Sequence, residues 1–323
     1  MMFQAVRYQV SFWNGSVPLQ GDLVIPPGPG PHPAVVLVNG TSGPRDRGRW
    51  IDAVAHCGMA TLTWDSPGWG GSEGGPRAWQ APDQRTMEVL AAVDFLRDVR
   101  DVSATGVGVI GSDLGCWAAA LAAGLSSRVA SLVLLSPPAV GGMWQELHRL
   151  GQRLRAGGFI TAEIGLAQLV LRERIRRLAA GQDGATILAA EAACRHAPWY
   201  GWLPGTTVAE IEAFGTVASY DPGGLLGPVR CPVLAVFGAD DTESPAWEGA
   251  ETVRRALASA APRDHQVVVL PRTDDALRPV WAADGAGPRA PGDWHPDLVG
   301  YITDWLAPRI GRLRQAETVP PQT

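Results

Sequence analysis

The sequence contains no lysine, and all 27 of its basic residues are arginine. This excludes enzymes that form a Schiff base on a lysine and nucleotide-binding proteins that depend on a P-loop lysine. No block of clustered basic residues is present either, and the formal net charge is -5 at pH 7. Nucleic acids and anionic membranes bind clustered cations, so we expect neither as a partner and favour a small molecule instead.

Cysteine is scarce as well. The chain has four cysteines, Cys57, Cys116, Cys194 and Cys231. They have neither CxxC spacing nor a nearby histidine pair, so the sequence encodes no zinc site and no disulfide framework. We predict that all four thiols are reduced and buried, and that the protein uses neither a metal nor an organic cofactor.

Long apolar runs are also missing. No stretch approaches the roughly 18 apolar residues that a membrane-spanning helix needs. The first residues, MMFQAVRYQVSFWNG, lack the charged region and the apolar region of a secretion signal. We therefore expect a cytoplasmic protein.

The sequence does contain short apolar runs that alternate with amphipathic segments. In residues 4–26, two apolar runs lie on either side of an Asn-Gly turn, which predicts an antiparallel hairpin. Six further strands are predicted at residues 33–40, 59–65, 106–112, 130–137, 232–238 and 265–271. This alternation is typical of an α/β fold with a mostly parallel central sheet.

Two helices of this pattern have clear apolar faces. The face of the helix at 83–99, which we expect to pack on the sheet, carries Met87, Leu90, Ala91 and Phe95. A last helix at 296–307 is expected to close the edge of the sheet, and its apolar face carries Leu298, Tyr301, Ile302 and Trp305.

Residues 141–221 break the alternation, because their pattern is helical and contains no convincing strand. We interpret them as a helical cap inserted into a core made of residues 1–140 and 222–323. The arginine run of this segment is expected to be a solvated face, and it comprises Arg172, Arg174, Arg176 and Arg177. Its aromatic cluster, Trp199, Tyr200 and Trp202, fits a cap core and a wall of the substrate pocket equally well.

One short motif points to chemistry. Residues 109–116, VIGSDLGC, end a predicted strand and open a helix, and they have the form G-x-nucleophile-x-G. In such an elbow the flanking glycines leave room for a tight crossing of strand and helix. Gly111 and Gly115 place Asp113 at the tip of the turn, whereas Ser112 is expected to point into the strand.

The order and spacing of these segments resemble the α/β-hydrolase superfamily, and more narrowly its dienelactone-hydrolase and prolyl-oligopeptidase-like esterases. The likeness spans nearly the whole chain and, besides the elbow, rests on NGTSGP (39–44), DSPGWGGS (65–72), FGADDT (237–242) and LPRTDDAL (270–277). These look like the family's oxyanion loop, its D-x-x-G-x-G-x-S turn, its acid loop and its histidine loop. The resemblance implies an oxyanion hole, with Asn39, Gly40 and Thr41 in the loop and the Leu114 backbone as a donor.

The departures from the family pattern concern the catalytic residues. Where the family has serine, acid and histidine, this sequence has Asp113, Asp241 and Asp275, and Asn39 replaces the histidine of the oxyanion loop. A serine esterase needs a hydroxyl nucleophile and an imidazole to shuttle its proton. Neither is present at its position, so ordinary serine esterase activity is not expected.

Three carboxyl groups at the ends of neighbouring strands cannot all ionise without a large repulsion, so at least one should keep its proton. A carboxylic acid beside a carboxylate can act as a general acid and base. We therefore predict a non-hydrolytic lyase or cyclase. In this altered use of the fold the sequence resembles enzymes that tailor polyketide-type metabolites, which implies a reaction such as the elimination of acetate; the resemblance is not carried by a specific motif.

Two other hypotheses stay open. Asp113 could attack carbon as in epoxide hydrolases and haloalkane dehalogenases, with His295 folding back to activate water in this or another ester hydrolysis. Alternatively, the chain is a retired enzyme that only binds a ligand. Asp240 is nearly as good an acid as Asp241, and Asp274 fits a turn cap. We expect an apolar substrate, and the sequence leaves the assembly open, with a homodimer as one option.

Overall fold

The computed structural model describes residues 5–40, 45, 51, 54–55, 57–75, 82–218, 222–258, 264–280, 298, 300–302, 304–306 and 308–309. The strands are β1 (Val6–Asn14), β2 (Val17–Ile25), β3 (His32–Val38), β4 (Ala60–Trp64), β5 (Val102–Ser112), β6 (Ser131–Leu135), β7 (Val233–Gly238) and β8 (His265–Leu270). The α-helices are α1 (Pro82–Arg97), α2 (Gly115–Leu125), α3 (Gly142–Ala156), α4 (Thr161–Ala179), α5 (Gly184–Ala190), α6 (Val208–Ala218) and α7 (Ala246–Ala258).

The eight described strands form one sheet in the order β1-β2-β4-β3-β5-β6-β7-β8. The β1–β2 and β2–β4 pairs are antiparallel, and the other pairs are parallel. The predicted hairpin and mostly parallel sheet are thus confirmed. The chain leaves β3 toward β4 and later returns to β5 on the other side, so the order reverses between β3 and β5. In α/β sheets, binding sites form at such a reversal, beyond the carboxyl ends of the strands.

The turn from β5 into α2 lies at this reversal and has the predicted elbow geometry. Asp113 has a φ of +47°, a left-handed conformation that few residues other than glycine adopt. A Cβ atom at Gly111 would lie 2.9 Å from the Cys116 backbone, and one at Gly115 would lie 2.4 Å from the Asn39 carbonyl oxygen. Both glycines are therefore required for α2 to pass this close to β5 and to the chain after β3.

The apolar face of α1 that is buried in the core is not the one predicted from the sequence. The residues of α1 that are fully buried in the core are Val89, Ala92, Val93 and Leu96, whereas Met87 is 54% exposed. The expected stripe instead flanks the hairpin, and the Phe95 ring stacks on Phe12 with centroids 5.5 Å apart. Competition between two adjacent apolar stripes, of which only one can face the sheet, explains the error.

The described residues between 298 and 309 are helical, as predicted. Leu298, Ile302 and Trp305 are buried in a cluster with residues from the middle strands of the sheet, such as Val35 and Ile110. This helix thus covers one face of the sheet and does not close its edge. Tyr301, which the predicted apolar face included, is 39% exposed.

The chain between β6 and β7 forms the helices α3 to α6, which we call the helical segment. The segment has its own apolar cluster, which includes Leu150, Leu171 and Trp199. Its arginine run is not uniformly solvated, because Arg174 is 1% exposed. The Arg174 guanidinium binds both carboxylate oxygens of Glu191, at 2.9 and 2.6 Å, and holds the end of α4 inside the segment.

All four cysteines are free thiols, but only two of them are buried as predicted. Cys116 and Cys231 lie in the core, Cys194 is partly buried, and Cys57 is exposed. The expectation of four buried thiols was wrong for the last two, because cysteine's usual preference for the interior does not fix the position of a single residue.

A buried arginine ties the hairpin to the turn after β4. Arg45 is 8% exposed, and its guanidinium lies 3.1 Å from an Asp22 carboxylate oxygen and 2.5 Å from one of Asp65. The Asp65 carboxylate also accepts the backbone N–H groups of Arg45 and Gly71, at 2.7 and 2.9 Å. The D-x-x-G-x-G-x-S turn therefore has a structural role here, since its aspartate is fully engaged in holding the loop.

Replacing Gly115 by alanine tests the elbow crossing. The new methyl group would meet backbone atoms that cannot move aside, so we expect Gly115→Ala to lower the free energy of unfolding by at least about 2 kcal/mol in urea titrations. Gly165→Ala is the control, because nothing lies within 4 Å of a Cβ at this position inside α4. That variant should be slightly more stable than the parent, by about 0.5–1 kcal/mol. Equal stability of the two variants would contradict the assignment.

Candidate active site

The three aspartates follow the carboxyl ends of β5, β7 and β8, which are close in the sheet. Asp113 and Asp275 each contribute to raising the pKa of Asp241, and Asp275 also raises the pKa of Asp113. Like charges that lie within several ångströms of one another in a poorly hydrated region act in this way. The three carboxyl groups that the sequence singled out thus lie within electrostatic range of one another.

Asp241 is the most buried of the three, with 6% of its surface exposed. Its Oδ1 atom accepts the backbone N–H groups of Glu243 and Ser244, at 2.7 and 2.8 Å. These hydrogen bonds lower its pKa, but burial outweighs them and, with the charges of Asp275 and Asp113, raises it to about 7. Asp241 therefore gains or loses a proton near neutral pH. Asp240, which the sequence offers as an alternative residue for the acid position, is exposed.

Asp275 lies in the turn after β8, which packs directly on the turn after β7. A Cβ at Gly238 would lie 2.2 Å from the Asp274 carbonyl oxygen, and the Asp240 N–H donates to the Thr273 carbonyl at 2.9 Å. Burial and the charge of Asp274 raise the pKa of Asp275. The Arg278 guanidinium binds Asp274 at 2.7 Å, and its charge also lowers the pKa of Asp275, but burial and the charge of Asp274 outweigh this effect.

Asp113 is partly buried at the tip of the elbow. Burial is the main cause that raises its pKa, and the Leu114 backbone N–H and the Arg149 guanidinium act in the opposite direction. The Leu114 N–H, predicted as an oxyanion-hole donor, therefore faces the carboxylate of Asp113 itself. Ser112, by contrast, turns into the sheet, where its hydroxyl donates to the Val38 carbonyl at 3.5 Å.

Arg149 brings a positive charge from the helical segment toward the carboxyl groups. It lies on α3 and pairs with Glu146 at 2.8 Å and with Glu243 at 2.6 Å. Glu243 belongs to the turn that the Asp241 carboxylate organises. Next to Arg149, the His148 Nε2 atom lies 3.4 Å from the Asp241 backbone carbonyl oxygen. The helical segment is thus joined to the acid loop by two neighbouring side chains of α3.

A buried arginine holds the loop after β3. Arg85, which is 7% exposed, donates from Nη1 to the Gly40 carbonyl at 2.9 Å and from Nη2 to the Asn39 carbonyl. Because the N–H and C=O of a trans peptide point in opposite directions, the Gly40 N–H faces away from the guanidinium. A Cβ at Gly40 would lie 2.9 Å from the Asp113 Cβ. The loop is therefore fixed against the elbow by its backbone, as an oxyanion loop requires.

The predicted aromatic residues pack inside the helical segment. Trp199 and Tyr200 are buried in the apolar cluster of the helical segment, and the Tyr200 hydroxyl donates to Glu191 at 2.7 Å. Trp202 is 37% exposed and packs edge-on against Phe159. The sequence left two roles open for this cluster, a cap core and a wall of the substrate pocket. The contacts of the three side chains are those of packing within the segment. Thr41 and His295 lie outside the described residues.

Sequence reasoning missed Arg85, His148 and Arg149. For Arg85 a signal existed, since it precedes Val89 and Ala92 at helical spacing and so lies on the buried face of α1. For the two α3 residues there was none, because the sequence does not tell which face of an inserted helix meets the acid loop. Both face it only through the packing of the whole segment.

The arrangement supplies a carboxyl group that titrates near neutral pH, two more with raised pKa values, one guanidinium and a fixed backbone loop. These parts can accept a proton from one atom of a substrate and give one to another. Among the described residues, no group of three histidines, cysteines or acidic residues is placed to hold a metal ion. Within the same residues, no helix has the length and apolarity to cross a membrane.

Curated relatives match only part of the chain. A 2,6-dihydropseudooxynicotine hydrolase from Paenarthrobacter nicotinovorans is 31% identical over 118 residues, which cover 36% of this chain and 31% of the relative. An uncharacterised protein of Pseudomonas aeruginosa, PA2218, is 33% identical over 108 residues, covering 32% of this chain and 29% of its own length. The chain thus spans about a third of the length of these relatives.

Similarity of the fold extends much further. The match to the crystal structure of 2,6-dihydroxy-pseudo-oxynicotine hydrolase covers 100% of this chain and 72% of the hydrolase chain, with a TM-score of 0.58 and 18% sequence identity. The match to the structure of an esterase from Pyrococcus furiosus covers 96% of this chain and 92% of the esterase chain, with a TM-score of 0.59 and 14% sequence identity. The model of the Alpha/beta hydrolase family matches residues 35–280, from β3 to the turn after β8. The chain therefore has the α/β-hydrolase fold and belongs to the alpha/beta hydrolase family.

Proposed function

We propose that this chain is an enzyme that acts on a small organic molecule through its carboxyl groups, with Asp113 as the reacting residue and hydrolysis as the reaction. The observation that carries the proposal is the group of Asp113, Asp241 and Asp275, in which Asp241 has a pKa of about 7. A general acid or base works best when its pKa lies near the working pH. The hydrolase names of the similar proteins support the reaction class.

In the hydrolytic route, the Asp113 carboxylate attacks an electrophilic carbon and a protonated neighbouring carboxyl group protonates the leaving group. The resulting ester is then cleaved by water, whose proton passes to the Asp241 or Asp275 carboxylate. One observation favours this route: the Leu114 N–H already faces an Asp113 oxygen. During ester cleavage that oxygen carries the developing negative charge, and a backbone N–H placed in advance stabilises it.

Elimination is the second candidate, and the residue at the histidine position favours it. Asp275 stands there, and the raised pKa values of all three aspartates suit the removal of a C–H proton by one carboxylate. A second carboxyl group would protonate the departing carboxylate, for example acetate, as the C–O bond breaks. The product then contains an alkene, and no water is consumed. A lyase or cyclase of polyketide-type metabolites would use these steps.

The helical segment completes this proposal as a cap, with its boundaries at residues 141–221. Its contacts with the acid loop run through His148 and Arg149, the latter in an ion pair with Glu243 at 2.6 Å. A substrate bound between the segment and the sheet would be shielded from water on one side. Shielding strengthens the electrostatic effect of the carboxyl groups on the reacting atoms.

Isotope labelling separates the two reactions. A metabolite extract from a strain that lacks the gene is incubated in ¹⁸O-water with the parent protein, with Asp113→Ala or with Asp240→Ala, and analysed by mass spectrometry. We expect a product that has gained labelled oxygen over many turnovers, which Asp113→Ala does not form. The exposed Asp240 is the control, and its variant should work like the parent.

A single turnover in ¹⁸O-water sharpens the test, because in the ester route the first oxygen given to the product comes from Asp113. The label should then appear in the peptide that contains Asp113. Loss of a carboxylic acid without label, dependent on Asp113, would instead establish elimination. Unchanged chemistry in Asp113→Ala would refute both routes, and no product with any protein would favour a role in ligand binding.

The titration of Asp241 should also be visible in protein stability. A carboxyl group whose pKa is raised on folding stabilises the fold below its unfolded pKa and loses this contribution as pH rises through the folded value. For Asp241, with a shift from 3.8 to about 7, the loss amounts to up to about 4 kcal/mol between pH 4 and 8. We expect Asp241→Asn to unfold at a higher temperature than the parent at pH 8, with a difference that shrinks as the pH falls and is small at pH 4.

Asp240→Asn is the matched control for this measurement, since it removes the same charge from the adjacent, exposed position. Its melting temperature should follow that of the parent at both pH values. If Asp241→Asn were the less stable protein at pH 8, Asp241 would be an ionised turn cap and not a proton-exchanging group.

A further inference from the structure

An open cavity of about 490 Å³ lies between the helical segment and the core, beside the acid loop. Its walls come from the chain after β6, from α3 and α4, and from the start of α7. The residues that line it are Ala139, Val140, Gly141, Trp144, Leu147, His148, Gln168, Arg172, Pro245, Glu248 and Thr252. The volume is in the range of small-molecule sites in proteins.

Two residues give this cavity a specific character. Trp144 is 60% exposed although it lines a concave site, so a large flat apolar surface is open to a ligand. The Arg172 guanidinium lies 5.7 Å from the centre of the Trp144 ring. Within the part of the chain that the structure describes, Arg172 is in no salt bridge, although the Glu248 carboxylate lines the same cavity. The guanidinium lies over the Trp144 ring, and a cation held in this way can still pair with an anion.

His148 adds an uncharged polar group on the side of the cavity that meets the acid loop. Burial lowers the pKa of His148, while Glu248, Glu243 and the Asp241 carbonyl raise it and Arg155 lowers it further. A neutral imidazole can donate a hydrogen bond or accept one, as its ligand demands. The cavity thus combines a flat ring, a cation, a neutral hydrogen-bonding group and one carboxylate, that of Glu248.

We propose that this cavity binds the non-reacting part of the substrate, and that this part is a planar conjugated group with an anionic oxygen. The conjugated plane stacks on Trp144, and the anion pairs with the Arg172 fork, which suits a carboxylate. This assignment rests on the proposed function, because it treats the cavity and the carboxyl groups as two parts of one substrate site.

The position of the anion follows from the charges. Near Asp113, Asp241 and Asp275 a negative group would be repelled by three carboxyl groups, whereas the cavity offers the Arg172 cation on α4 against a single carboxylate, that of Glu248. The two regions are connected by α3, where Trp144 and His148 line the cavity and the next residue, Arg149, faces the carboxyl groups. The substrate therefore lies with its anionic end in the cavity and its reacting carbon toward Asp113.

Binding of simple probes tests this assignment without knowledge of the full substrate. The probes are 4-hydroxycinnamate, which is planar and anionic, 4-hydroxycinnamyl alcohol, which is planar and neutral, and 3-(4-hydroxyphenyl)propanoate, which is anionic and not conjugated across its chain. Affinities are measured by titration calorimetry with the whole protein. We expect 4-hydroxycinnamate to bind about tenfold or more tightly than either of the other two probes.

Matched variants assign the two contacts. Arg172→Gln should remove the preference for the acid over the alcohol, and Arg176→Gln, one turn further along α4 and exposed, should keep it. Trp144→Leu should weaken the binding of 4-hydroxycinnamate and of 4-hydroxycinnamyl alcohol to a similar extent. Trp247→Leu is its control, since Trp247 is 61% exposed but does not line the cavity.

Three results would overturn the assignment: equal binding of acid and alcohol to the parent, equal behaviour of Arg172→Gln and Arg176→Gln, or no saturable binding of 4-hydroxycinnamate up to about 10 mM. Failure of the proposed function gives a different result. Asp113→Ala should bind 4-hydroxycinnamate like the parent. If this variant also kept its full catalytic activity, Asp113 would not be the reacting residue, but the assignment of the binding cavity would still hold.

Discussion

The site depends on one steric constraint, the close crossing of β5, α2 and the chain after β3. Gly111 and Gly115 permit it, since a methyl group at either position would collide with backbone atoms. The crossing holds Asp113 at a φ of +47° and places it against the backbone of Gly40. Arg85 then fixes the same loop from behind, so two independent contacts keep the donors and the carboxylate in one arrangement.

A second constraint is electrostatic. Few charges compensate the aspartates at the strand ends, because Arg278 is bound to Asp274 and Arg149 already pairs with Glu146 and Glu243. Burial therefore outweighs the effects that lower the pKa values of the three aspartates, and all three values are raised. This is unfavourable for stability and useful for proton transfer. Strained and destabilised groups of this kind are typical of functional sites, where the rest of the fold compensates for them.

Much of the fold could be predicted because its signals are local. The strands alternate with helices, and the G-x-x-x-G spacing around Asp113 already defines the elbow. The errors concern tertiary packing: the face of α1, the burial of Arg174 and the place of the last helix depend on neighbours far away in sequence. The three aspartates could be found from the resemblance, but their mutual charge effects and the approach of Arg149 could not. Those depend on how the helical segment packs on the acid loop.

The two ion pairs of the helical segment differ in their exposure to solvent. Arg174 and Glu191 are shielded inside it, with side chains 0% and 9% exposed, whereas Arg149 and Glu243 are 27% and 43% exposed. Dissolved salt screens exposed pairs far more than buried ones. Raising the ionic strength therefore loosens the attachment of the segment to the acid loop while the segment itself stays intact.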